Sequence, residues 1–356
     1  MASPWAVRAL AAELQPRLLD RSLAAQHMMA AVLRDGAPLA ADYPLVFGEQ
    51  SPGRIAVIED ARGLALSACA LLSRDFHIGE RCLRVGMIGS VATDPDQRGR
   101  GMASRVLDAA HKELARMGCL FSLLWAEDPA FYEGRGYRTI GRELDFYLPA
   151  GRRPIFPAPD GVRNASAKDF AAIRELHAKH PTRVERSVHE MQQLLSVPGM
   201  EILVQEIAGE ITAYACRGRG EDMRDVVHEW GGSTAGVMAC LAGHMACEGQ
   251  MERDFVVLAA PDSSDAASAL TEACLEVVPG VLGMAHLLNR TAAERLLSEF
   301  APEARDFAED LTDAELLELL FTPSERTTVR AALEASTGQA PAGLPLNPFA
   351  WGLDSI

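Results

Sequence analysis

The spacing of apolar residues predicts a mixed α/β domain in the first part of the chain. Short runs of mostly apolar residues predict five strands, at 55–58, 64–72, 83–91, 119–125 and 144–148. The residues at 59–63 are typical of a hairpin turn, and two glycines inside the third run indicate a bulge. After that run the apolar residues recur at helical spacing, which predicts a helix from Gly101 to Gly118. Helical spacing also covers 5–33.

The second part of the chain repeats this order of elements. Helical patterns at 167–179 and 189–195 precede a predicted hairpin that turns at Ala208-Gly209. A predicted strand then runs into Gly231-Gly232 and is followed by a helical pattern and a further strand at 255–260. The repeat lies in the order of the elements and not in the residues themselves.

We therefore expect an α/β protein with mixed sheets, arranged as two tandem domains and a helical end. The predicted divisions are 1–150, 151–288 and 289–356. The segment 149–159 contains four prolines and is the predicted linker between the first two parts. The residues at 344–356 are unusually apolar for a chain end, which predicts a tail docked against the rest of the protein.

The composition is that of an ordinary globular protein, and it limits the partners. The chain has 356 residues, a formal net charge of −15 and seven cysteines without a Cys-x-x-Cys pair. The acidic balance argues against nucleic acid and anionic membranes as partners and allows a cationic substrate such as an amine. No run is apolar enough to span a bilayer, and 1–19 lacks the features of a secretion signal. A cytoplasmic location is therefore expected.

The sharpest local signal is the sequence Arg-Gly-Arg-Gly-Met-Ala at 98–103, between a predicted strand and a predicted helix. Such a turn directs unpaired backbone N–H groups and the positive end of the helix at one point, which favours a phosphate. It is not a P-loop, because no Gly-Lys-Ser/Thr follows, and its glycine spacing differs from a dinucleotide-binding fingerprint.

This segment resembles the signature of the GNAT superfamily of N-acetyltransferases, Arg/Gln-x-x-Gly-x-Gly/Ala. Arg98, Gly101 and Ala103 fill the signature positions, and 131–137 is similar to the closing Tyr-x-x-x-Gly-Tyr/Phe segment of the family. The resemblance implies acetyl-CoA as co-substrate, bound between two splayed strands with its pyrophosphate on the loop. The cofactor contacts that the resemblance implies are Val91, Ala92, Thr93, Arg98, Gly99, Arg100, Gly101, Met102, Ala103 and Ser104.

A narrower resemblance is to the Eis-like acetyltransferases, which join two GNAT-like domains, the second degenerate, and place the end of the chain in the active site. The sequence Val-Ala-Thr at 91–93, the pair 126–127 and the segment 132–137 resemble that group. The degenerate copy is represented by 229–235, which lies at the loop position without the signature. The chain departs from the group by one residue of spacing before Tyr132 and by a shorter end.

The resemblance also implies the groups that carry out the chemistry. Tyr132 is the expected general acid for the departing thiolate, whose pKa of about 8.5 lies somewhat below the value of about 10 for tyrosine. The carboxylate of Ile356 is a candidate base, and a docked tail without a catalytic role is the alternative. Glu127 follows a buried strand, where ligand groups gather, and is assigned to the cofactor site with a surface carboxylate as the alternative.

Other constellations favour structural roles. Cys240, His244 and Cys247 share one helical face, but one apolar helix face without a further ligand does not make a metal site, and no metal is expected. The sequence Arg-Gly-Arg-Gly at 217–220 is interpreted as a turn, because no amphipathic helix follows it. His228-Glu229 is interpreted as structural.

Three functional interpretations remain at this stage. The first is transfer of an acetyl group from acetyl-CoA to a primary amine of a small molecule or a peptide. The second is a non-catalytic module that binds acyl-CoA as a regulatory signal, and the third is a GNAT enzyme that uses another acyl-CoA. Eis-like relatives are often homo-oligomers, but the sequence leaves the oligomeric state open.

Overall fold

The computed structural model describes residues 14–148, 158–220, 223–246, 255–261, 264–274, 276–338 and 341–356. Fifteen strands are described: β1 Arg17–Leu19, β2 Arg54–Glu59, β3 Ala65–Ile78, β4 Arg81–Thr93, β5 Phe121–Leu124, β6 Arg138–Ile140, β7 Glu143–Leu148, β8 Val162–Asn164, β9 Thr182–Val184, β10 Glu201–Ile207, β11 Glu210–Arg217, β12 Val226–Gly232, β13 Phe255–Ala259, β14 Glu276–Gly280 and β15 Gly283–Leu287.

The α-helices of the described residues cover both parts of the chain and most of its end. They are α1 Leu23–Leu33, α2 Pro44–Phe47, α3 Met102–Arg116, α4 Pro129–Glu133, α5 Phe170–His177, α6 Val188–Leu195, α7 Thr234–Ala246, α8 Ser264–Ala273, α9 Arg290–Phe300, α10 Arg305–Asp310, α11 Asp313–Phe321 and α12 Val329–Thr337. None of these helices is long and apolar enough to cross a membrane.

The strands form two mixed sheets, which confirms the predicted α/β class. The first sheet has the order β1-β2-β3-β4-β5-β15-β6, with β9 paired to β3, and the second has the order β14-β7-β13-β12-β11-β10-β8. In the first sheet β4 runs parallel to β5, and in the second β12 runs parallel to β13, while the neighbouring pairs are antiparallel. Each parallel pair is bridged by a helix, α3 or α7, so that the two halves share one arrangement.

Each sheet takes one strand from the other half of the chain. Strand β7 pairs with β13 and β14 in the second sheet, and β15 pairs with β5 and β6 in the first. The strand predicted at 144–148 therefore forms, but it lies in the second sheet and not in the sheet of the first half. The sheets do not follow the predicted boundary at residue 150, because local apolar patterning indicates a strand without indicating its partner. Residues 149–157 of the predicted linker at 149–159, and residues 5–13 of the predicted helix at 5–33, lie outside the described residues.

Several predicted elements are confirmed and a few are missing from the prediction. The hairpin at Ala208-Gly209 joins β10 and β11, and the helix that begins after Gly101 ends before Gly118, which has a φ of 82°. Strand β1 falls inside a stretch predicted to be helical, and it is held by pairing with β2. Strands β14 and β15 were not predicted.

The end of the chain is docked, as its apolar sequence predicts. Phe349, Trp351 and Leu353 are each at most 1 % exposed, so they belong to the core and do not merely cover the surface. The last residue, Ile356, is partly buried and packs against two of the apolar clusters of the core.

Candidate active site

A slot opens where two parallel strands of the first sheet separate. The pairing of β4 with β5 is limited to Gly86 with Ser122 and Met87 with Leu123, so that the rest of β4 has no β5 partner. On its other side β4 carries a bulge, because two of its residues, Ser90 and Val91, lie opposite one residue of β3. Ser90 has a φ of 49°, as expected where a bulge redirects the backbone. The bulge and the missing partner leave backbone polar groups of β4 facing the slot.

The slot is part of a cavity of about 960 Å³. Every residue that the sequence assigned to the cofactor or to catalysis lines this cavity. They are Val91, Ala92, Thr93, Arg98, Gly99, Arg100, Gly101, Met102, Ala103, Ser104, Glu127, Tyr132 and Ile356. Residues from four separate stretches of sequence thus meet at one place, although their individual roles remain predictions.

The loop before α3 has the geometry of a phosphate cradle. Gly99 and Gly101 adopt φ values of 74° and 73°, which side chains other than that of glycine rarely adopt. A β-carbon at either position would meet nothing within 4 Å, so the space beside both glycines is open. The N–H groups of the first turn of α3 have no acceptor within the helix. The loop and the cations Arg98 and Arg100 therefore fit the diphosphate of a CoA thioester.

Arg135 is a cavity residue that the sequence analysis missed. Its Nε and Nη2 atoms donate to Ser104 Oγ at 3.0 and 2.7 Å, and its guanidinium lies 3.6 Å from the centre of the Phe131 ring. Arg135 thereby joins the first turn of α3 to the segment that carries Tyr132. The sequence does place Arg135 inside the closing motif at 131–137, but nothing in that motif identifies Ser104 as its hydrogen-bond partner.

Tyr132 lies on α4 and points its ring into an aromatic cluster. Its ring centroid is 4.9 Å from that of Phe131 and 5.5 Å from that of Tyr137, both in edge-to-face arrangements. Burial raises the pKa of Tyr132 to about 12, because the charged phenolate would lose its hydration. The hydroxyl therefore stays protonated at neutral pH.

A buried polar network supports the ring behind Tyr132. The hydroxyl of Tyr137 is 2.7 Å from His111 Nε2 and accepts from Ser122 Oγ at 3.2 Å. The ring of His286, on β15, stacks on His111 at 4.4 Å. Burial lowers the pKa of His111 to about 3, so that the network is neutral. The exchanged strand β15 thus contributes to the support of the site.

The terminal carboxyl group of Ile356 lies against β4 inside the cavity. A β-carbon at Gly89 would overlap the carboxyl oxygen and carbon of Ile356, so the close approach depends on a glycine there. Glu127, in contrast, is exposed at the rim of the cavity on the loop after β5.

The other end of the cavity is largely apolar. Its walls there come from α1 and the segment that follows it: Val32, Leu33, Leu39 and Tyr43. Arg34 also lines this end, but its charge is paired with Asp42. The ring of Tyr43 is covered on two sides by cations, with Arg219 4.6 Å and Arg34 5.7 Å from its centre.

The site agrees with a family assignment made on the sequence of this region. Residues 26–140, which contain most of the cavity walls, match the model of the acetyltransferase (GNAT) domain. The chain contains a GNAT acetyltransferase domain. No curated protein matches the chain at the level of sequence.

About four fifths of the chain is similar in fold to solved proteins. A GCN5-related N-acetyltransferase from Kribbella flavida is 18 % identical, with a TM-score of 0.56, and the match covers 80 % of this chain and 74 % of that one. A GCN5-related N-acetyltransferase from Anabaena variabilis is 15 % identical, with a TM-score of 0.58 and coverages of 78 % and 74 %. Eis1 from Mycobacterium abscessus is 14 % identical, with a TM-score of 0.52 and coverages of 79 % and 75 %. At these identities the likeness concerns the fold.

The second half repeats the architecture of the GNAT domain but has no cradle loop. Strand β12 ends at Gly232 and α7 begins at Thr234, so one residue separates them, whereas residues 94–101 separate β4 from α3. The described residues of the second half therefore have no loop at the position of the open glycine loop. The second half is a degenerate copy in this structural sense.

The remaining constellations have structural contacts. His244 lies 3.3 Å from Glu201 and donates to the carbonyl of Ala215 at 3.1 Å, while Cys247 lies outside the described residues. No group of three His, Cys, Asp or Glu residues able to hold a metal occurs in the part of the chain that the structure describes. The segment 217–220 is a turn after β11, as predicted, and its Arg219 is buried.

Proposed function

We propose that the protein transfers an acetyl group from acetyl-CoA to a primary amine by direct attack in a ternary complex. The observation that carries the proposal is the single cavity that unites the open glycine loop, the bulged end of β4, Tyr132 and the terminal carboxyl group of Ile356. A phosphate cradle, a strand edge for pantetheine, an acid and a base are the parts that this reaction needs.

The first chemical demand is a neutral nucleophile. An alkyl ammonium with a pKa of about 10.4 loses its proton at neutral pH at a cost of roughly 4–5 kcal/mol. The carboxylate of Ile356 faces the cavity and is the proposed acceptor of that proton. The neutral nitrogen then attacks the thioester carbonyl, and backbone N–H groups at the bulge near Ser90 stabilise the oxyanion. As the intermediate collapses to the amide, the nitrogen releases its second proton to solvent.

The second demand is protonation of the departing sulfur. As the C–S bond breaks, the thiolate receives a proton or a hydrogen bond from the hydroxyl of Tyr132. A full transfer from a tyrosine with a pKa of about 12 to a thiolate with a pKa of about 8.5 is uphill by about 5 kcal/mol. The step is therefore more costly than the sequence indicated, and Tyr132 acts mainly as a hydrogen-bond donor to the developing charge, with the proton supplied in the end by solvent.

The apolar end of the cavity indicates the kind of amine. Val32, Leu33 and Leu39 offer a bound acceptor apolar contact, and the cation of Arg34 is neutralised by Asp42. A multiply charged polyamine would find few carboxylates among the described lining residues. They are the Ile356 terminus and the exposed Glu127 and Asp128. We therefore propose a primary amine carried on a partly apolar body, in a small molecule or at a peptide end.

Paired variants separate this enzyme from a module that only binds acyl-CoA. Thiol release from acetyl-CoA is measured with a panel of primary amines, and acetyl-CoA affinity is measured by calorimetry. We expect Tyr132→Phe to lower kcat by about 10²-fold or more with little change in affinity. Deletion of Ile356 is expected to do the same. Equal turnover in wild type and Tyr132→Phe would contradict the assigned acid, and tight binding without release by any amine would favour the binding module.

A further inference from the structure

The degenerate half has a slot like that of the GNAT domain, and the end of the chain occupies it. The pairing of β12 with β13 stops after Val226 and Val227, and β12 bulges at His228, just as β4 separates from β5 and bulges. Against the unpaired part of β12 lies the segment 349–354. The ring of Trp351 is 5.3 Å from that of Trp230, and a β-carbon at Gly352 would overlap the side chain of His228.

A fully buried arginine connects the degenerate half to this segment. Arg186 donates to both carboxylate oxygens of Glu229 at 2.8 and 2.7 Å, and to both oxygens of Asp354 at 2.9 and 2.6 Å. All three side chains are completely buried. Tyr214 adds a hydrogen bond to Glu229 at 3.2 Å. The planar guanidinium makes a bidentate contact with each carboxylate. It therefore fixes both the distance and the relative orientation of Glu229 and Asp354, which a single hydrogen bond to each would not do.

A second buried cation holds the next residues. Arg219 donates to the carbonyl of Gly352 and to Ser355 Oγ, the latter at 2.7 Å, and also to the carbonyl of Asp42 at 3.2 Å. Asp354 is therefore fixed through its side chain and Ser355 through its hydroxyl. The next residue is Ile356, whose carboxyl group lies on Gly89.

We propose that Arg186 is a positioning residue for the reaction, and that the degenerate slot acts as a receptor for the chain's own tail. Arg186 is held by Glu229 on β12 and binds Asp354 of the tail, and we call this pair of contacts the grip. The grip positions the Ile356 carboxylate at the cofactor slot of the other half. The inference rests on the proposed function only for its catalytic consequence, since the grip itself is a structural claim. It also explains why a half without an open phosphate cradle keeps the splayed strands.

The test uses Asp354→Asn in the full-length chain, because this variant leaves the bidentate pair of Arg186 and Glu229 in place. Hydrogen exchange of the segment 349–356 reports the grip, and steady-state kinetics with acetyl-CoA and the best amine report its consequence. We expect amide exchange in 349–356 to rise about tenfold or more, and kcat to fall by about tenfold or more, with acetyl-CoA affinity unchanged. Tyr214→Phe is the matched control, because it removes one contact to Glu229 without touching the tail, and we expect neither quantity to change.

A second variant covers the case in which Asp354→Asn does not fold. Ser355→Ala removes the contact with Arg219 from a partly exposed residue, and we expect a smaller change in the same direction in both measurements. Unchanged exchange in the tail variants overturns the grip. Faster exchange with an unchanged kcat overturns the positioning role of Arg186.

Failure of the proposed function has a different signature. In that case the wild-type protein shows no amine-dependent turnover at all, while slower exchange in wild type than in Asp354→Asn still supports the grip.

Discussion

The terminal carboxyl group of Ile356 rests directly on Gly89, at a point of β4 where the backbone is about to bulge. The contact joins the last residue of the chain to the strand whose next residues line the proposed pantetheine path. It leaves no room for a side chain at residue 89. Two residues far apart in the sequence, Ile356 and Gly89, thus determine together where the proposed base lies.

Gly89→Ala is expected to displace Ile356 and to lower kcat about tenfold or more, because the added methyl group takes the place of the carboxyl group. Acetyl-CoA affinity should change little. Steady-state kinetics and calorimetry check both expectations. In a chain that lacks Ile356, the same substitution should have little further effect on kcat, because there is nothing left to displace. Additive losses in the double variant would show that the alanine acts through some other change.

Gly101→Ala is expected to weaken acetyl-CoA binding about tenfold, because its β-carbon would enter the open space of the cradle. The left-handed backbone should also cost about 1–2 kcal/mol of folding free energy. Gly118→Ala at the other end of α3 is the matched control, since it has a similar φ of 82° and equally open surroundings. It should lose similar stability and keep its affinity, as measured by calorimetry and thermal melts. Equal affinities in both variants would argue against the cradle.

The activity is expected to show no alkaline limb from Tyr132 below about pH 11, because burial raises the pKa of this hydroxyl to about 12. A general acid acts in its protonated form, so activity is lost only as the pH rises through that value. The pH profile of kcat, with buffers up to about pH 10, checks this. A loss of activity near pH 9 that is absent from Tyr132→Phe would show that Tyr132 ionises at a lower pH in the complex.

The docked tail is expected to make the fold sensitive to acid. Burial lowers the pKa of His180 and of His228 to about 4, against an ordinary value of 6.5, and both rings contact the tail. The unfolded chain therefore binds more protons between these values, and stability is lost as the pH falls from about 6.5 towards about 4. Each histidine contributes at most about 3 kcal/mol to this loss.

The charged groups that face these histidines act on them in both directions. His177 and Arg186 lower the pKa of His180 further and Glu229 raises it, while Arg219 and Arg186 lower the pKa of His228 and Glu229 raises it. Denaturant titrations between about pH 7 and about pH 4.5 measure the slope. His180→Gln, whose amide reaches the position of Nε2 and can still donate to the carbonyl of Trp230, should give a less steep slope than wild type. An equal slope in both proteins would contradict the assignment.

The residues proposed to bind the cofactor could be selected from local sequence because they are close together in the sequence as well as in the structure. The loop 98–103 is proposed to bind through its own backbone and the helix that it begins, and the strand before it carries the bulge that Gly89 indicates. Tyr132 follows within the same domain. Such features depend on residues that are close in sequence, and a motif records them directly.

The exchange of β7 and β15 could not be predicted, because an apolar run does not specify which sheet it joins. The same limit applies to Arg186, whose two partners lie 43 and 168 residues away. No sequence pattern indicates that an arginine is buried. Glu229, in an apolar strand, was interpreted only as a structural residue. The predicted turn at 217–220 proved right, but the sequence did not show that Arg219 holds the tail.

The most direct test of the proposed function follows the acetyl group itself. The protein is incubated with isotopically labelled acetyl-CoA and a set of primary amines that ranges from polyamines to amines with apolar bodies, and the products are identified by mass spectrometry. We predict labelled N-acetyl product in equal amount to the thiol released, greatest for amines with apolar bodies and nearly absent in Tyr132→Phe. Thiol release without N-acetylated product, or product formed equally by wild type and Tyr132→Phe, would contradict the proposal.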